Sequence, residues 1–322
     1  MDLGKQIGLK DGPATRDAFG KSLTEIGREN RNLVVIDGDV SNSTRTEEFG
    51  VEFPERFFNV GIAESNLVGV ASGLALAGKD ALAASFAAFL LCNAYDQIRM
   101  SVAFPQANVK LVGSHSGISI GEDGPSQMAI EDIALATSFP NFTVLVPADA
   151  PSTRAATRAM FEQKGPFYLR TGRPKVPVIY KEDFDFKIGK ANKLREGSDL
   201  TVIACGLMVA AALEAASDLE QKGIKTRVLD MHTVKPLDVE SIELAARETG
   251  AIVTAEEHLL AGGLGSSIAR VVAETHPVPM AFVAIQDRYA ESGKPQELLE
   301  KYGLTAEHIR LAAEQVIRRK QR

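Results

Sequence analysis

Short, uninterrupted apolar runs alternate with helical patterns along almost the whole chain, and that alternation leaves few folds open. LVVI (33–36), ALAASF (81–86), VKLVG (109–113) and FTVLVP (142–147) read as strands covered on both faces. Between them, residues 15–29, 65–77, 91–102, 130–137 and 150–164 carry helical patterns. Strands linked by helices imply right-handed crossovers and a parallel sheet. Beyond YLRTGRP (168–174) the periodicity fades into Pro177 and a run of charges, which reads as a linker. A second alternation follows, with strands at 200–205, 226–231, 251–256 and 281–285 and helices at 209–222, 239–249, 264–274 and 305–319. The expectation is an α/β protein of two domains, each a mostly parallel sheet flanked by helices. The first domain is residues 1–180, the linker 181–198 and the second domain 199–322.

Bulk properties narrow the function. A chain of 322 residues with 45% hydrophobic content is long and apolar enough for two cores. Its net charge of -6 argues against a nucleic-acid partner, which calls for a basic face. The two cysteines, Cys92 and Cys205, sit in apolar runs and read as small buried thiols, as suits a reducing cytoplasm. The N-terminal MDLGKQIGLKDGP has no apolar signal core. The stretch 66–91 is interrupted by Lys79 and Asp80, so it falls short of the roughly 20 apolar residues of a membrane span.

Several residues have the right type and setting for chemistry. Glu64 opens a Gly- and Ala-rich helix directly after a short strand. On residue type alone, a carboxylate favoured by the helix dipole is the stronger reading. Phe86 and Phe89, three apart after a strand, suit core packing or a flat slot for a heteroaromatic ring. Beside such a slot, a carboxyl that hydrogen-bonds a ring nitrogen of an aminopyrimidine shifts that ring towards its imino form, the means by which thiamine diphosphate is activated. His115 lies at a strand end, where open α/β sheets bind ligands. Asp123 lies in the GEDGP turn, which holds a carboxylate rigidly. AGGLGSSIA has Ile268 where a dinucleotide fingerprint needs a small residue, so it reads as close helix-on-strand packing. His232, His258, His276 and His308 lack metal-ligand spacing, and EEH (256–258) is placed at a domain interface.

VGIAES (60–65), the Phe86/Phe89 pair and GEDGPSQM (121–128) together resemble transketolase, specifically its pyrimidine-binding and C-terminal domains. The resemblance covers nearly the whole chain. It implies that Glu64 activates thiamine diphosphate, that Phe86 and Phe89 stack on its pyrimidine with Ile62 beside them, and that Asp39 in DGDVSNS lies near the cofactor at a subunit interface. It further implies that His115 lines the sugar-phosphate channel and assists proton transfer, that Asp123 and Gln127 read substrate hydroxyls, and that Arg16, Ser43 and Arg170 grip the phosphate. Many members place a third aromatic where this chain has Cys92, with Tyr95 the substitute at hand.

The family's metal- and diphosphate-holding domain carries a GDG motif with a downstream Asn, and GDV at 38–40 does not supply it. The expectation is therefore a split transketolase. A separate N-terminal subunit would hold Mg2+ and the diphosphate, with self-association through both domains of this chain in an α2β2 assembly. Its reaction would move a two-carbon glycolaldehyde unit between sugar phosphates, pentose phosphates by default. Two alternatives stay open: the β subunit of a 2-oxo-acid dehydrogenase, and a non-catalytic scaffold subunit.

Overall fold

The computed structural model describes residues 1–320. In chain order its strands are β1 (Asp11–Ala14), β2 (Leu33–Asp37), β3 (Phe57–Asn59), β4 (Asp80–Phe86), β5 (Val109–Ser114), β6 (Thr143–Leu145) and β7 (Phe167–Arg170). They continue with β8 (Lys175–Pro177), β9 (Asn192–Arg195), β10 (Leu200–Ala204), β11 (Thr226–Asp230), β12 (Thr233–Lys235), β13 (Ile252–Leu259) and β14 (Met280–Ile285). The first sheet runs β12-β6-β7-β5-β4-β2-β3 and is parallel apart from β12. The second runs β14-β13-β10-β11-β9 and is parallel apart from β9. Each expected strand is present, flanked by helices.

The linker is more structured than its charges suggest. β8 pairs with β1, and β9 adds antiparallel to β11 as an edge of the second sheet. Lys193 and Arg195 on β9 are what an edge strand tolerates, since one side faces water. Asp149 anchors the approach to this segment. Its Oδ1 accepts the Ser152 N–H at 2.9 Å as a helix cap, and its Oδ2 accepts the N–H groups of Ile179 and Tyr180 at 2.7 and 2.9 Å.

Helix Thr15–Glu29 buries Ala18, Phe19, Ser22, Leu23 and Ile26, one stripe at helical spacing, against β2 and β7 side chains such as Val35 and Leu169. At about 1.5–3 kcal/mol for each fully buried large apolar side chain, that stripe outweighs the two glycines in the helix. The largest core cluster runs from Ile36, Leu67 and Leu111 in the first domain into Ile203, Leu229 and Met231 in the second. The two domains thus share apolar packing. Among the described residues, no helix is long and apolar enough to cross a membrane.

Candidate active site

In the first sheet β2 is followed by its neighbour β3 on one side and then by β4 on the other, so the strand order reverses between β2 and β4. Ligands of open α/β sheets bind beyond the C-terminal strand ends at such a point. There the chain gathers Asp39 after β2, Glu64 after β3, Phe86 at the end of β4, His115 after β5 and Arg173 after β7.

Glu64 is the first residue of helix Glu64–Leu76 and only 7% exposed. It accepts from Ser85 Oγ and Asn93 Nδ2, each at a long 3.4 Å. A buried carboxylate with two such weak partners keeps acceptor capacity in hand. Asp39 sits at φ 63 and accepts from Asn59 Nδ2 at 2.7 Å, while Asn59 Oδ1 holds the Gly61 N–H at 2.9 Å. This fixes the turn that leads to Ile62, whose side chain is 78% exposed. The Phe86 and Phe89 rings are parallel within 5°, with centroids 5.7 Å apart. Phe86 also stacks on the His115 ring at 4.0 Å and 9°, so it orients the histidine as well as forming the aromatic wall. Tyr95 does not extend that wall. Its ring packs on Phe139, and its hydroxyl meets Ser138 Oγ at 2.8 Å. Cys92 is exposed rather than buried, and its Sγ lies 3.7 Å from Glu131 Oε1. Partial desolvation of the sulfur at this otherwise exposed residue, then the Glu131 charge, push the thiol up to about 11. Cys205 is buried as expected.

His115 is buried at φ 61. Its Nδ1 meets Ser114 Oγ at 2.8 Å, and its Nε2 lies 3.1 Å from Arg16 Nη1. A guanidinium only donates, so Nε2 is the acceptor and Nδ1 carries the proton in the neutral ring. Burial, then the charges of Arg16, Arg173 and Arg45, lower the imidazole to about 3. Arg16 Nη1 also donates to the Ser43 carbonyl at 3.1 Å, while its buried Nε has no partner. Arg16, Ser43 and His115 therefore converge as expected. Burial and the neighbouring Arg45 lower the Arg16 pKa, a strain that a bound anion would relieve.

Arg170 departs from expectation. It is 7% exposed, and its guanidinium pairs with Asp132 through Nε–Oδ2 at 2.8 Å and Nη2–Oδ1 at 3.1 Å. Nη2 also donates to the carbonyls of Ala129 and Glu257. The group is spent on a buried network between the domains and does not reach the recess. Arg173 lies three residues on, past the strand end. Arg173 Nη1 donates to the Ile120 carbonyl at 2.8 Å and to Asp123 Oδ2 at 3.3 Å. Position relative to the strand end was the available signal for it. Gln127 stands half-buried on the same loop as Asp123, its N–H turned to the Gly124 carbonyl at 3.2 Å.

Comparison with known proteins identifies the family. The family description "Transketolase, pyrimidine binding domain" matches residues 11–178, and "Transketolase, C-terminal domain" matches residues 189–309. The chain belongs to the transketolase family, to which it corresponds through these two domains. It is 41% identical to a 6-deoxy-6-sulfo-D-fructose transketolase subunit of Clostridium sp. over 305 residues, covering 95% of both chains. It is 44% identical over 313 residues to mouse (Mus musculus) transketolase-like protein 2, of whose length it spans 49%. Among solved structures, one described as "Split gene transketolase, inactive beta4 tetramer" is 48% identical, with a TM-score of 0.90 over 96% of this chain and 100% of that one.

Proposed function

We propose that this chain is the C-terminal subunit of a split, thiamine-diphosphate-dependent transketolase that moves a two-carbon glycolaldehyde unit from a ketose phosphate to an aldose acceptor. The observation that carries the reading is the underbonded Glu64 carboxylate at the same strand ends as a neutral His115, Arg16 and Arg173. Bound thiamine diphosphate would supply the carbanion-like chemistry of C–C cleavage and formation. Glu64 would hydrogen-bond a ring nitrogen of the cofactor's pyrimidine, donating to it as the carboxylic acid and accepting from it once the ring nitrogen carries the proton, against Phe86, Phe89 and Ile62, with Asp39 close by. The residues present fit that ring: a carboxylate with spare acceptor capacity adjoins half-buried parallel aromatics.

His115 would offer Nε2 to a sugar hydroxyl once the Arg16 guanidinium turns to an anion. Arg16 and Arg173, with Ser43, would hold the phosphate, and Asp123 and Gln127 would read hydroxyls. Two arginines, an aspartate and a glutamine suit a polyhydroxylated phosphate better than a small 2-oxo acid. Mg2+ and the diphosphate would be held by a separate N-terminal subunit. Exposed Ile62, Leu76 and Phe104, at 78%, 68% and 80%, are apolar surface of the kind an assembly covers. The 48% identical structure, described as a beta4 tetramer, supports self-association, and α2β2 is the closed arrangement proposed for the complete enzyme.

Calorimetry with thiamine diphosphate tests this reading, for the chain alone and then with its N-terminal partner and Mg2+. Binding only in the mixture supports a site divided between chains. Tight binding by the chain alone would overturn the division, and no binding in either would leave a scaffold role.

A further inference from the structure

The loop carrying Asp123 and Gln127 is fastened from the other domain. Glu257 on β13 is buried, and its Oε1 accepts the Ser119 N–H at 2.6 Å. The same carboxylate lies directly beneath Gly117, where a Cβ would overlap it, and Gly117 has φ 78, a conformation that side chains resist. His115 lies two residues before Gly117, and Asp123 four residues after Ser119. Farther along, a Cβ on Gly121 would press on Pro295 Cδ at 3.0 Å, and Gly124 abuts Ser292 Oγ. On the recess side, Arg173 grips the Ile120 carbonyl and Asp123. The segment 117–124 is thus clamped between one arginine of the first domain and a carboxylate and loop of the second.

Building on the transketolase reading, we infer that Glu257 is a positioning residue. It sets where the 117–123 segment sits and so how His115 and Asp123 meet the sugar. It does not touch the sugar itself. Its leverage comes from one short, buried hydrogen bond that fastens a backbone amide of the segment. Burial, countered by Arg170 and the Ser119 N–H, places the carboxyl at about 7, so a neutral group of the same shape keeps most of the interaction.

The test pairs Glu257→Ala with Glu257→Gln, each assembled with the N-terminal subunit, thiamine diphosphate and Mg2+. With Ala, KM for the sugar phosphate rises about tenfold or more while kcat changes by less than about threefold, the scale of losing one such hydrogen bond. Gln, whose amide oxygen still accepts from Ser119, restores KM to within about twofold. In the isolated chain, Ala speeds hydrogen exchange of the Ser119 amide about tenfold or more, leaving β13 amides unchanged. Unchanged KM and Ser119 exchange in the Ala variant would overturn the inference. So would equal losses of kcat and thermal stability in both variants, the mark of a residue that only holds the fold. Full turnover in a Glu64→Ala complex would instead sink the transketolase reading, and the Ser119 exchange would still decide whether Glu257 holds the loop.

Discussion

After β3, β5 and β7 the first domain leaves Glu64, His115 and Arg173 at the C-terminal strand ends, whereas at the ends of β10, β11 and β13 the second domain seals Cys205, Asp230, Glu256 and His258 away from solvent. Both are the ligand-binding ends of parallel sheets, yet the second is plugged by the first domain. The hydrogen bonding differs accordingly. Glu256 accepts the N–H groups of Leu264 and Gly265 at 2.7 Å each, at the start of helix Leu264–Glu274, and Gly263 and Gly265 allow that approach as the GGLGS pattern indicates. His258 is held by the Leu259 carbonyl and the Ala134 N–H, which bears out its place at a domain interface. At the open end, Glu64 has two weak partners and Arg16 Nε has none. Asp230 Oδ1 at the sealed end also lacks a partner, so the two ends differ less in whether polar groups are underbonded than in whether those groups border open space.

That contrast can be broken or sharpened by substitution. The largest effect is expected for Glu64→Ala. Turnover of the assembled complex falls by about 10²–10⁴, while size-exclusion chromatography shows assembly intact. Next comes Asp132→Ala at the sealed interface. It strands Arg170 as a buried unpaired charge, costing about 3–5 kcal/mol, read as a lower urea midpoint. Arg173→Ala sharpens the comparison with its neighbour three residues earlier. It raises KM for the sugar phosphate by about ten- to a hundredfold with little change in urea midpoint, because its contacts lie at the half-exposed recess.

The last contrast is a pH dependence. Burial raises Asp230 from 3.8 to about 8, with Tyr180 Oη donating to its Oδ2 at 2.7 Å. A carboxyl raised on folding stabilises fully below its unfolded pKa, and that contribution is lost as pH climbs through the folded one. The stability of Asp230→Asn relative to the parent chain should therefore rise from pH 4 to pH 8 and level off beyond. A flat difference across that window, measured by denaturant titration, would mean Asp230 is not held protonated.

Much of this was legible in the sequence for a physical reason: buried strands and amphipathic helices have distinct periods. The helix expected at 15–29 is the helix found, and Glu64, Phe86 and His115 follow the C-terminal strand ends of one sheet, with Arg16 against His115. What escaped depended on three-dimensional context. Arg170 and Arg173 share the motif YLRTGRP, and only the end of β7 at Arg170 tells the buried one from the site-facing one. β9 hid because an edge strand with Lys193 and Arg195 has the composition of a linker. Cys92 sits in an apolar run, but which side of its helix stays exposed is decided by what packs on the other.

The strand β12 belongs by chain order to the second domain, yet it pairs antiparallel with β6 in the first domain's sheet. Val146 N–H joins the His232 carbonyl at 2.8 Å, and Lys235 Nζ reaches the carbonyls of Thr137 and Phe139. The two domains are therefore poor currency for recombination. A crossover within 181–198 that traded one C-terminal domain for a foreign one would also trade the outer strand of the N-terminal sheet, leaving β6 to pair with a stranger or lie bare as an adhesive edge. Domain shuffling at this seam is penalised by the weave itself, so the two domains are bound to vary together.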